Sequence, residues 1–149
     1  MRPNRYAHDS AVRWARRGIP TVLAQLRTNA AQDVGPVGMP RDAVLVDAVV
    51  HALDMRRPLG QTRPLPAAAF LPTAEFLVRI RWPGSALLGG GVRKQIRGLR
   101  LVAEDQDWSS GEGPEVRGSG EALLLLLSGR TVGAGELHGE GARRLSPVP

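Results

Sequence analysis

Asp47 and His51 stand four residues apart in Asp47-Ala48-Val49-Val50-His51. A carboxylate oxygen and a neutral imidazole nitrogen are both ligands for a divalent cation, and on a helix this spacing brings them to one face. Asp54, seven residues after Asp47, extends the polar stripe, and a carboxylate there can orient a ligating imidazole through its second ring nitrogen. Read without a metal, the same stripe is the solvated side of an amphipathic helix. Arg130, directly after Gly129, is placed either to grip a carboxylate bidentately or to satisfy the last carbonyls of a helix. His8 and Asp9 form a neighbouring polar pair, exposed or available as further ligands, while the sequence reveals no partner for His138. The chain has no cysteine, so thiol chemistry requires a borrowed thiol. The glycines at 89 to 91 and 111 to 120 are not followed by the lysine-hydroxyl pair of a phosphate-binding loop.

These groups need elements to hold them. Asn4 to Arg17 reads as a helix stopped by Gly18, and Pro20 opens a second one in which Val22, Leu23, Leu26 and Ala30 recur at helical spacing up to Gly35-Pro36. Asp42 to Arg57 is a third, with Val46, Val49, Val50 and Leu53 on its apolar side and Pro58 and Gly60 as its end. Residues 58 to 72 contain four prolines and read as an extended connection, after which Thr73 caps a short helix reaching Trp82. Leu99 to Ala103 alternates as a strand, with Glu115 to Arg117 as its hairpin partner across a turn-rich link containing Trp108, a packing anchor. Glu121 to Ser128 is a helix with no polar side, closed by Gly129, and a last short helix spans Gly135 to Leu145. Helices followed by a small mixed region predict an α+β fold, divided as residues 1–60, a linker with short helices over 61–97, and a C-terminal region over 98–149.

The composition narrows the function classes. Of 149 residues 42% are hydrophobic, enough for a core, and the longest apolar run, Ala122 to Leu127, falls far short of the roughly 20 residues of a membrane-spanning helix. The start of the chain is charged and lacks the apolar centre of a secretory signal, although its arginines invite a targeting reading. Without cysteine, the expected location is the cytoplasm. The net charge of +6 is uneven, +10 over residues 1–100 and −4 over 101–149. That asymmetry could mark a polyanion partner, but the basic residues are scattered, no nucleic-acid module is recognisable, and Lys94 is the only lysine among many arginines.

The stretch DAVLVDAVVHALDMRRPLG resembles the segment that closes the metal-binding helical bundle of mycothiol-dependent maleylpyruvate isomerases, a branch of the DinB-like bundles. GLRLVAEDQDWSSGEGPEVRGSGEALLLLLSGR is similar to the C-terminal domain of a small subgroup of that family. The resemblance implies an incomplete DinB-like bundle and a small α/β C-terminal domain. It also implies a divalent metal, usually zinc, held by Asp47 and His51, with mycothiol as co-substrate and Arg130, in its Gly-Arg ending, as a contact for a small organic acid. The family's first metal-binding histidine, in a segment of the W-x-V-x-D-x-x-x-H kind, matches nothing here, so the front of the bundle is expected to be missing. Two functions follow from this. One is a thiol-dependent isomerase or transferase homologue that binds a metal. The other is a non-catalytic fragment or binding protein that keeps the fold without a complete site, possible as a homodimer.

Overall fold

A helix that is apolar all round must be covered all round, and the run at 122 to 127 sets the architecture accordingly. The computed structural model describes residues 3–32, 40–61, 63–80 and 92–145 and is of the α+β class, with six helices and one four-stranded sheet among them. The chain forms two compact units, residues 1–39 and 40–149.

The first unit holds α1 (Pro3–Ala15) and α2 (Ile19–Ala31), joined at Gly18. The Arg17 guanidinium lies 4.2 Å above the Trp14 ring, a cation–π contact beside the turn. No residue of α2 is buried, and Ile19, Leu23 and Leu26 are exposed.

The second unit begins with α3 (Arg41–Arg56), continued by a 3-10 turn at Arg57–Leu59, and α4 (Ala67–Arg79). It continues through α5 (Val92–Gln95), β1 (Arg100–Ala103), β2 (Ser109–Ser110), β3 (Glu115–Gly118), α6 (Gly120–Leu127), β4 (Leu137–His138) and a 3-10 turn at Gly141–Arg144. Helix α6 is the centre. Its leucines join Val46, Val49, Val50 and Leu53 of α3, Phe70, Ala74 and Leu77 of α4, and Leu101 and Val116 of the sheet in one core. Trp108 is the anchor the sequence suggested: its ring meets Phe70 edge to face at 5.6 Å, and its indole N–H donates to Glu75 Oε1 at 2.9 Å. The start of α6 is held twice, by the Ser119 hydroxyl accepting from the Ala122 N–H and by Asp105 Oδ1 accepting from the Gly120 N–H.

Several local expectations are corrected. The proline-rich stretch is not extended throughout: Pro58 and Leu59 belong to the 3-10 turn. Helix α4 starts at Ala67 and contains Pro72, and Thr73 is not a cap but a buried residue whose hydroxyl donates to the Ala69 carbonyl at 2.7 Å. An interior proline costs about 3 kcal/mol, and burial of Phe70, Ala74 and Leu77 on one side outweighs it. The strands β1 and β3 do not form a hairpin. They are parallel, Leu101 opposite Val116, and the antiparallel partner of β1 is Ser109–Ser110, inside the segment read as a link. The sheet order is therefore β2-β1-β3-β4, with β4 antiparallel to β3. The last short helix is reduced to the turn at Gly141–Arg144, because Leu137–His138 is taken into the sheet. Helix α4 also ends at Arg79, with Ile80 already extended, short of the expected end at Trp82, and the expected break at Gly35-Pro36 lies outside the described residues.

A parallel pair ordinarily needs a crossover of about a dozen residues. Here β2 carries the chain back to the start of β1, and the loop after it crosses to the far side of that strand. The crossing is close: a Cβ on Gly111 would stand 2.3 Å from the Leu99 carbonyl oxygen, and one on Gly113 would stand 2.2 Å from that of Gly98. Both glycines also have positive φ, 85° and 119°.

Two arginines at the end of α3 tie the helices to later parts of the chain. Arg56 donates to Glu121, in the first turn of α6, at 2.6 Å, and Arg57 donates to both oxygens of Glu136 at 2.6 Å. A cation at a helix C-terminus and a carboxylate at an N-terminus each sit where the backbone dipoles favour them. Partial burial opposes ionisation of Glu136, but the Arg57 hydrogen bond, the Gly133 N–H and the Arg57 charge outweigh it and hold its pKa below the ordinary 4.5.

Two predictions follow from these contacts. Gly113→Ala should lower stability by at least about 1–2 kcal/mol, measured by urea unfolding, because it adds a clash to a left-handed conformation; an unchanged midpoint would contradict the crossing. A carboxyl whose pKa is depressed by folding contributes stability above its unfolded pKa and loses it as pH falls through the folded one. Glu136→Gln should therefore melt below the parent near neutrality and alongside it in acid well below pH 4.5. A gap of the same size in both buffers would exclude the Arg57 latch.

Candidate functional site

The period that buries Val46, Val49, Val50 and Leu53 turns Asp47, His51 and Asp54 away from the core. The Asp47 and His51 side chains are 65% and 59% exposed, and that of Asp54 is 33% exposed. The stripe is thus on the wetter side of α3, yet its members are organised. His51 Nε2 lies 3.4 Å from Asp47 Oδ1, and His51 Nδ1 lies 3.2 Å from Asp54 Oδ2. One imidazole is held between two carboxylates of its own helix.

Asp54 is held in turn from outside the helix. Arg130 donates from Nε to Asp54 Oδ1 at 3.3 Å and from Nη2 to Asp54 Oδ2 at 3.0 Å, while Nη1 donates to the Ser128 carbonyl at 2.9 Å. The hydrogen bond from Arg130 depresses the Asp54 pKa most. Burial opposes it, and the Arg130 charge and His51 add to it. Arg130 thus closes a carbonyl at the end of α6, as one of its two readings expected, and the carboxylate it grips belongs to this chain. It also lines a cavity of about 350 Å³ with Leu126, Val132, Leu137 and Leu145.

This arrangement has a chemical consequence. An ionised Asp54 accepts from Nδ1–H, so Nε2 faces Asp47 with either a second proton or a lone pair. Two bare acceptors do not sit together unless a cation lies between them. Zinc with nitrogen and oxygen arms of about 2.0–2.1 Å sets neighbouring ligands about 3.4 Å apart in a tetrahedron, so the separation of the pair suits either a proton or a metal.

No family model, curated protein or solved structure matches this chain.

Among the described residues no group of three or more His, Cys, Asp or Glu side chains is disposed to hold a metal ion. His8 and Asp9 lie exposed on α1, in the first unit. His138 pairs with Glu104 at 3.1 Å, joining β4 to the end of β1, a partner that its glycine-rich surroundings conceal in the sequence. The feature that sequence reasoning missed is the link between Asp54 and Arg130. Both residues were singled out, but 76 positions separate them and no periodicity relates them.

A double-mutant cycle of Asp54→Asn and Arg130→Gln should give a coupling of about 0.5–1 kcal/mol in unfolding free energy, the range for a partly exposed bidentate pair. Strict additivity would mean that the pair does not form in solution.

Proposed function

We propose that this protein is a divalent-metal-binding homologue of the mycothiol-dependent maleylpyruvate isomerases, with Asp47 and His51 as two ligands of a zinc site. The observation that carries this reading is the facing of Asp47 Oδ1 and His51 Nε2 at 3.4 Å while the other ring nitrogen is taken by Asp54. A carboxylate behind a ligating imidazole fixes its tautomer and rotation and raises its basicity. Asp54 has that role, and Arg130 keeps Asp54 in place. A zinc ion here supplies Lewis acidity that lowers the pKa of a bound thiol, and in a chain without cysteine that thiol is mycothiol by the resemblance. The cavity beside Arg130 offers room for a small organic acid. A reduced thiol co-substrate belongs to the cytoplasm.

The exposure of Asp47 and His51 favours a second reading: a non-catalytic binding protein that keeps the fold, with the stripe as a surface ion network. Metal analysis separates the two. After incubation with zinc and gel filtration, the first reading expects close to one equivalent of zinc, lost in His51→Ala and Asp47→Ala and held about 10–100-fold more weakly in Asp54→Asn. Zinc absent from the parent protein, or retained in full by His51→Ala, would leave only the second.

A further inference from the structure

Among the described residues 40–149, Arg56, Arg57, Arg79, Arg100, Arg117, Arg130 and Arg144 each lie against an aspartate or glutamate. The short segment around α5 departs from that habit. Arg93 donates from Nη2 to the Val78 carbonyl at 2.9 Å, and among the described residues neither it, Lys94 nor Arg97 is paired with a carboxylate. All three line one cleft of about 490 Å³. Glu112 is the one acid among the described residues that line it, so three cations face one carboxylate there.

Arg93, Lys94 and Arg97 are all exposed, so an anion seated in the cleft would meet three cations free to turn toward it. The cleft's apolar wall is formed by the half-buried Val78 and Ile96, so a ligand meets charge on one side and hydrocarbon on the other. The volume falls in the range of small-molecule sites, roughly 300–1,000 Å³. Guanidinium groups match phosphate oxygens in pairs and an ammonium adds a point charge, whereas a single carboxylate would offset only one of the three cations. Convergence on one concave site, in place of a stripe along an extended face, favours a small ligand over a polymer.

We propose that the cleft lined by Arg93, Lys94 and Arg97 binds a small organic phosphate whose apolar body rests on Val78 and Ile96. This site uses none of the residues of the metal reading and stands whether or not that reading holds.

Calorimetric titration of the full chain with phenyl phosphate tests it, with inorganic phosphate and benzyl alcohol as separate arms. The expected result is one saturable site for phenyl phosphate, weaker binding of inorganic phosphate, and none of benzyl alcohol. Arg97→Gln and Lys94→Gln should each weaken phenyl phosphate about tenfold without changing the melting temperature, and His51→Ala should leave it unaffected. Absence of saturation up to about 10 mM, or binding by both cleft variants as tight as by the parent protein, would overturn the proposal. So would a duplex oligonucleotide that binds more tightly than phenyl phosphate with a steep salt dependence, which would make the patch a polyanion surface.

Discussion

Residues 122 to 127 form a helix without a wet side, and the second unit is organised by the need to cover it. Each leucine buried there contributes about 1.5–3 kcal/mol against leaving it in water, and the gain requires neighbours on every face. Helices α3 and α4 supply part of that cover and the sheet supplies more, with Val46, Leu53, Phe70, Ala74 and Val116 fully buried. The helix has only its ends free for polar contacts, and those ends are where hydrogen bonds and charges collect. Ser119, Asp105 and Glu121 hold the beginning, and the Ser128 hydroxyl and Arg130 close the end.

The Asp47, His51 and Asp54 cluster is a by-product of that cover in geometry and a candidate for chemistry in composition. Packing of α3 fixes which residues face outward, and the loop leaving α6 brings Arg130 to them. An imidazole between two carboxylates, one of them held by a guanidinium, is more constrained than any of its exposed members would be alone. That constraint is what separates the stripe from an ordinary solvated helix face.

Periodicity made α3 and α6 readable in the sequence, because a repeat of buried positions is local information. All four apolar positions named for α3 are buried, and Asp47, His51 and Asp54 lie on its wetter side. Helix α4 was obscured because prolines argue locally for an extended chain, while the contacts that overrule them come from α3 and α6 far along the sequence. The parallel pairing of β1 and β3 was hidden for a related reason. It depends on a loop crossing at Gly111 and Gly113, whose glycines look like ordinary turn residues until Gly98 and Leu99 lie against them. Among the site residues, Asp47, His51 and Asp54 share one helix and could be grouped by spacing, whereas Arg130 joins them only through the fold.

The sheet order has one further consequence. Its longer strands, β1 and β3, lie inside, and the two outer strands, β2 and β4, contain two residues each. A flanking chain that tried to add itself to either margin would find too few free backbone groups to align on. By enclosing its longer strands within the sheet, the unit guards against self-association through strand addition.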